Sequence, residues 1–322
     1  MKHSAWIVAV MAGVSAPAFA QADYPSKQIR FVVPFAPGGS SDIISRAVAS
    51  QMSANMGQQV YVENKGGGGG NIAMEDVKRA APDGYTMILG HIGTLAVNPA
   101  MYGAKLPYDP IKDFQPVTLL AVVPNVIAVK PDLPVKTIQD FVALAKKNPG
   151  KLNYGSAGNG SAGHLAMEYF KMEAGIDLVH IPYRGTGPML SDMLGGTLDA
   201  TFNGVPPILS QIKAGKLKPL AVGSTAKIPV LPDTPTIAGS GYPGFETSQW
   251  YGLIVPAGVP RPIIDRLQKE AVKALGSDDT RKRFADDGAN PAGGTPEQFA
   301  ALIAKEKEKW GKVVATAKIQ PD

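Results

Sequence analysis

The sequence predicts an α/β protein folded as two domains, and three observations carry that prediction. Strand-like and helix-like segments alternate along most of the chain, the pattern of a sheet flanked by helices. The chain has 322 residues, more than one ordinary hydrophobic core holds. Two glycine- and serine-rich strand-to-helix junctions, Val32–Asp42 and Tyr154–His164, lie far apart in the sequence yet share one design.

The first twenty residues read as an export signal. Lys2 and His3 form a short polar start, Ser4–Val14 is mostly apolar, and Ala18-Phe19-Ala20 supplies a small-x-small cleavage site before Gln21. The apolar run is too short to span a bilayer as a helix, and no later run is long enough. Residues 21–322 are therefore expected in the periplasm.

In order, Ile29–Pro34 and Val60–Glu63 read as strands. The helix between them, Asp42–Met56, repeats Ile44, Ala47, Val48 and Met52 at helical spacing, and Gly57 stops it. Gly66–Gly70 reads as a loop before an Asn71-capped helix, in preference to a hinge or lid. Tyr85–Leu89 is a strand entered through the Pro82-Asp83-Gly84 turn. Thr137 opens a helix to Lys147, with a capping acid at Asp140. Leu152–Tyr154 is a strand, and Ala162–Ala174 an amphipathic helix. Val179–Ile181, Leu198–Phe202, Leu217–Val222 and Tyr251–Val255 are further strands, with helices at Pro188–Leu194 and Pro207–Ala214. From Arg261 onward the pattern is mainly helical, and a parallel-rich sheet follows from the alternation.

Composition excludes several classes. Hydrophobic residues make up 44% and charged residues 18%, which describes a globular chain. No cysteine is present, so disulfides, thiolate nucleophiles and thiolate metal sites are out. The net charge of +5 is scattered, and the densest run, Lys305–Lys312, alternates with Glu306 and Glu308 as a solvated helix face. No nucleic-acid signal results. The four histidines, His3, His91, His164 and His180, form no tight metal spacing, and neither metal nor cofactor is expected.

Chemistry gathers at the two junctions. A helix start aims unpaired N–H groups and a positive dipole end at one point, which favours an anion. In the first, Pro37 stiffens the entry, Gly38 and Gly39 let backbone approach a ligand, and Ser40 and Ser41 add hydroxyl donors. By itself it is equally an ordinary tight turn. Asp42 would repel an anion, so it reads as the N-cap, paired with Arg46 one turn on, and is left out of the site. The second junction concentrates Ser156, Asn159 and Ser161 among four glycines, and His164 reads equally as a packing residue or a ligand contact. Charge-assisted bonds of about 1.5–3 kcal/mol each reach micromolar affinity without an arginine clamp.

Gly158–Gly163 fits G-x-G-x-x-G, but the next strand ends in Pro182-Tyr183 where a ribose-binding acid is needed, so a dinucleotide site is rejected. No G-x-S-x-G elbow appears, and no acid stands out to orient a Ser–His pair.

The ordered motifs Val33-Pro-Phe-Ala-Pro-Gly-Gly-Ser-Ser-Asp42, Val62-Glu-Asn64, Ala81-Pro-Asp-Gly-Tyr85, Leu106-Pro-Tyr-Asp-Pro110, Asn153–Leu165, His180-Ile-Pro-Tyr183, Leu194-Gly-Gly196, Leu231-Pro-Asp-Thr-Pro-Thr236 and Pro256-Ala-Gly258 carry a resemblance. The chain resembles the solute-binding proteins of tripartite tricarboxylate transporters, the Bug (Bordetella uptake gene) family, over essentially its whole mature length. The resemblance implies an α/β, two-domain periplasmic binding protein of the type II, flytrap-like kind, with a ligand cleft between the domains. It implies residues 21–124 and 225–322 as domain 1 and residues 125–224 as domain 2. The ligand, a small di-, tri- or aromatic carboxylate, would be met by Phe35, Gly38, Gly39, Ser40, Ser41, Ser156, Ala157, Asn159, Gly160, Ser161 and His164 of the two loops. Further walls would be His91 and Thr94 from a loop at Gly90–Thr94, with Thr186, Asn203 and Gln249. The implied partners are the membrane subunits of the transporter, with the chain itself a monomer and not an enzyme.

Departures from the family pattern bear on specificity. His91-Ile92 stands where relatives commonly carry serine or threonine, and Arg184, read as a surface or interdomain pairing residue, stands where lysine is frequent. Asn203 stands in a segment where relatives often carry aspartate. A neutral Asn203 argues against a ligand with an amino group, and His91 or Trp250 is expected to flank an aromatic ring. Two other readings stay open: presentation of the ligand to a sensor kinase, and a secreted hydrolase using a loop serine.

Overall fold

A computed structural model describes residues 24–317; the export signal read at residues 1–20 lies outside the described residues. The elements run β1 (Ile29–Val33), α1 (Ser40–Met56), β2 (Val60–Asn64), α2 (Asn71–Lys78), β3 (Thr86–His91), α3 (Asn98–Tyr102) and β4 (Phe114–Val129). There follow α4 (Ile138–Lys147), β5 (Asn153–Ser156), α5 (Ala162–Ala174), β6 (Val179–Pro182), α6 (Thr186–Leu194), β7 (Ala200–Gly204), α7 (Val205–Lys213) and β8 (Lys218–Val222). The chain ends in β9 (Ser248–Pro256), α8 (Arg261–Gly276), α9 (Asp278–Asp287), β10 (Asn290–Pro291) and α10 (Pro296–Ala317).

The ten strands among the described residues join one sheet in the order β2-β1-β3-β9-β4-β7-β5-β6, with β8 and β10 also pairing with β4. The outer trios are parallel, as strand-helix alternation demands: β1 with β2 and β3, and β5 with β6 and β7. The middle is antiparallel, because β9 and β4 arrive through loops rather than crossover helices.

β4 is the longest element that sequence reading did not assign. From Phe114 to Pro124 it pairs with β9, and from Asn125 to Val129 with β7 and β8, so one strand serves both halves of the sheet. Pro116 and Pro124 break the strand pattern, and the run between them does not alternate because both faces are covered. Pro116 is tolerated beside a register shift, and Pro124 stands where β4 leaves β9.

Helices bury both faces of each half. Val33 of β1 packs with Ile44, Val48 and Met52 of α1 and Leu267 of α8, while its neighbour Val32 faces Met74 and Leu95. That alternation is the two-residue period of a strand. In the second half Phe141 of α4 and Met167 and Phe170 of α5 cover one face, Met189 of α6 and Ile208 of α7 the other.

The capping box expected at Thr137 and Asp140 is present. α1, α6 and α7 each begin two residues earlier than the sequence suggested. In α7 this puts a proline in the first turn, where its missing N–H costs nothing. Asn71 does not cap α2. Gly70 occupies that position, and the Asn71 side-chain oxygen Oδ1 instead accepts from Asn98 Nδ2 at 2.7 Å and Tyr108 OH at 3.1 Å. The expected loop at Gly90–Thr94 is the end of β3 running into a π-helical turn, Gly93–Val97.

Candidate ligand-binding cleft

Across the seam between the halves the first glycine-serine junction touches the β6–α6 loop, and both junctions line one cavity. Ala36 N donates to Arg184 O at 3.1 Å, and Gly39 lies so close to Thr186 that a Cβ there would sit 3.2 Å from the threonine hydroxyl. Between the junctions is a small cavity of about 20 Å³, lined by Phe35, Ser40, Ser41, His91, Ala157, Ser161, Ala162, Gly163, Thr186, Asn203, Gln249 and Tyr251. No aspartate, glutamate, lysine or arginine lines it. Such a volume admits about one water.

Nine of the residues expected to meet a ligand thus converge on one point: Phe35, Ser40, Ser41, His91, Ala157, Ser161, Thr186, Asn203 and Gln249. Two carry donors with a fixed direction. His91 Nδ1 accepts from Gly93 N at 2.9 Å, which places the proton of the neutral ring on Nε2. That nitrogen is buried and has no partner among the described residues. Burial pushes the His91 pKa down to about 3, so the ring offers a neutral N–H. Asn203 Oδ1 accepts from Gly204 N at 3.0 Å, and its buried Nδ2 is likewise left without a partner. A buried donor with no acceptor costs free energy unless a ligand supplies one.

The remaining expected residues hold the site from behind or beside it. Thr94 is fully buried, and its hydroxyl lies 3.3 Å from both the backbone N–H and the carbonyl of His91. Gly38 and Gly39 sit on the seam, against Gly187 and Thr186. Gly160, with φ of 71°, presses on Asn98 so closely that a Cβ would stand 2.5 Å from its Oδ1. Its N–H donates to His164 Nδ1 at 3.2 Å. Ser156 Oγ accepts from Gly158 N at 3.1 Å and lies 2.7 Å from His180 Nε2. His180 stacks between His164, at 4.2 Å between ring centroids, and Tyr154, at 4.8 Å. Asn159 lines a neighbouring, larger chamber.

Asp42 proves to be a brace rather than the N-cap. Gly39 caps α1, and the buried Asp42 carboxylate accepts from Gly38 N at 3.0 Å, Arg46 Nε at 2.9 Å and Asn64 Nδ2 at 3.0 Å. Burial pushes its pKa up, but the bonds from Arg46, Gly38 and Asn64 outweigh that and hold it below the ordinary range. Its charge is used up behind the loop.

Sequence reading missed Ala162, Gly163 and Tyr251. Tyr251 had a signal available: two residues from Gln249 on one strand, it shares that face, and its hydroxyl bonds to Gln249 Oε1. The same alternation turns Trp250 away. Its indole N–H donates to Glu306 at 3.1 Å and its ring packs edge-on against Phe299, so Trp250 does not line this cavity.

Residues 44–319 match the model of the tripartite tricarboxylate transporter family receptor. The chain belongs to this family. Protein BugT of Bordetella pertussis is 36% identical over 304 residues, covering 94% of this chain and 93% of BugT. Among solved structures, the Rhodopseudomonas palustris protein Rpa4515 with adipate is 38% identical with a TM-score of 0.90, covering 93% of this chain and 100% of that one. MatC of the same organism, with bound malate, is 34% identical with a TM-score of 0.85, covering 90% and 100%. The fold is that of two-domain periplasmic solute-binding proteins, and the family is one of receptors, not enzymes.

Proposed function

We propose that this receptor captures a small carboxylate in the periplasm and delivers it to the membrane subunits of a tripartite tricarboxylate-type carrier, acting as a monomer. The observation that carries the reading is a buried cavity lined by no carboxylate, by hydroxyl and amide side chains, and by His91 and Asn203, whose Nε2 and Nδ2 have no partner among the described residues. Preorganised donors of this kind stabilise an anion without the desolvation cost of a buried counter-charge. Relatives of the same fold with adipate and malate bound agree with this chemistry. Cleavage before Gln21 accounts for export. The domain division follows β4: residues 21–124 and 225–322 form one domain, 125–224 the other, and the carboxylate sits between them.

The test is a thermal-shift and calorimetric panel of carboxylates on residues 21–322. A ligand at a hundred times its dissociation constant adds about 2.7 kcal/mol of stability. A shift of several degrees with one carboxylate, reduced in Ser161→Ala, is the expected result. Silence across the panel in ligand-free protein overturns the assignment.

A further inference from the structure

Trp250 turns away from the cleft cavity towards a separate pocket of about 250 Å³, which it lines together with Trp310. Its neighbours on β9, Gln249 and Tyr251, line the cleft cavity, so the strand has a different space on each face. The pocket is of small-metabolite size, below the range that holds drug-sized ligands. Ile92, Val122 and Leu302 supply its apolar wall.

The charged residues of the pocket depart from the rest of α10. A solvated helix face is expected over Lys305–Lys312, and the exposed pair Glu308 and Lys312 meets that expectation at 2.9 Å. Glu306 does not. Half-buried, it accepts the indole N–H of both Trp250 and Trp310 on a single oxygen, Oε2, at 3.1 Å each. No described residue bonds to its other oxygen. Glu246, Lys305 and Lys309 also line the pocket, and none of the four charged groups is in an ion pair among the described residues. Lys309 Nζ lies instead 5.7 Å from the centroid of the Trp310 ring.

A carboxylate taken partly out of water and bonded only by neutral donors keeps its full charge, so a cation brought to its free oxygen is favoured. Indole rings beside it suit an organic ammonium. Two acids and two lysines leave no net charge, and the occupant that matches them carries one charge of each sign. We infer that this pocket binds a free α-amino acid with an apolar side chain. Its ammonium group pairs with Glu306, its carboxylate with Lys305 and Lys309, and its side chain packs on Ile92, Val122 and Leu302. Such a ligand differs in class from the anion of the cleft, whose cavity has no lysine, arginine, aspartate or glutamate in its lining.

The experiment is isothermal titration of residues 21–322 with leucine, methionine and phenylalanine, and with the amine and the acid that each becomes on losing its carboxylate or its ammonium group. Wild type, Glu306→Gln, the double variant Lys305→Met/Lys309→Met and Ser161→Ala are compared. Wild type should bind at least one amino acid about tenfold more tightly than either of its single-charge analogues. Glu306→Gln keeps an acceptor for the two indoles and should weaken that binding about tenfold, the scale of one charge-assisted pair. The double lysine variant, altered only at exposed positions, should weaken it as much. Ser161→Ala, in the cleft, should leave it unchanged. The site is overturned if none of the three amino acids binds, or if the analogues bind as tightly. Binding that survives either pocket variant, or that falls in Ser161→Ala, overturns it as well.

Discussion

Ser156 Oγ and His180 Nε2, on the paired strands β5 and β6, lie 2.7 Å apart directly behind the second binding loop. The contact has the composition of a nucleophile and its base, but its surroundings make it a brace. The serine is 2% exposed and its oxygen already accepts from Gly158 N. The nearby acid, Glu168, is engaged by Tyr154 OH at 2.7 Å and Lys171 Nζ at 2.8 Å. Stacking on Tyr154 and His164 fixes the imidazole instead.

Removing the hydroxyl should therefore loosen the loop. Ser156→Ala strands the buried Gly158 N–H, worth about 1–3 kcal/mol when unpaired, and removes the partner of the half-buried His180 nitrogen. Thermal unfolding of Ser156→Ala, His180→Phe and the double variant should show strong non-additivity. Additive losses would mean that the two residues act independently.

Acidification should destabilise the protein before its carboxylates titrate. Burial, followed by neighbouring charge at His164 and His180, lowers the histidine pKa values to about 3 for His91, 4 for His164 and 3 for His180, from an ordinary 6.5. Between those limits the unfolded chain binds more protons than the folded one, so stability rises with pH. The neutral-ring stability is present above the ordinary value of 6.5 and is lost progressively as pH falls towards about 3. Denaturant titrations from pH 4.5 to 8 should give a plateau above about 6.5 and a steady fall below it. A flat profile between pH 5 and 7 contradicts the burial of neutral rings.

Cleft closure can be separated from stability at Gly187. A Cβ there would stand 2.6 Å from Pro37 O, which lies across the seam, while its backbone φ is ordinary. Gly187→Ala should lower ligand affinity by about tenfold or more, since only the closed arrangement is obstructed. The melting temperature of the unliganded protein should hold or rise slightly, because alanine favours helix α6. Unchanged affinity would show that the ligand does not require this closure.

Two other glycines should respond in opposite directions. At Gly163 a Cβ would lie 2.5 Å from Phe202 O, where α5 rests on β7 and lines the cavity. Gly163→Ala should cost about 1–3 kcal/mol by overpacking and weaken binding. Gly311, inside α10, has open space around the same position, and Gly311→Ala should add about 0.5–1 kcal/mol. Equal melting temperatures for the two variants would refute the packing argument.

The sequence by itself determined the local elements and the two donor loops. Helical spacing gave Ile44 to Met52, the Thr137–Asp140 box gave the start of α4, and glycine-serine density marked the loops around Ser41 and Ser161. Each of these rests on interactions within a few residues, which is the range that periodicity and capping report. Tertiary structure decided the rest. β4 was hidden because a strand covered on both faces loses its alternation, and its prolines are tolerated only through partners more than 100 residues away. The role of Asp42 depended on Asn64 from β2, and that of His164 on the ring of His180. The cavity required Phe35 from the loop after β1 to meet Asn203 of β7 and Gln249 of β9. Which donors are spent on the fold and which remain for a ligand is a property of packing, because a hydrogen bond is counted only when both partners are in place.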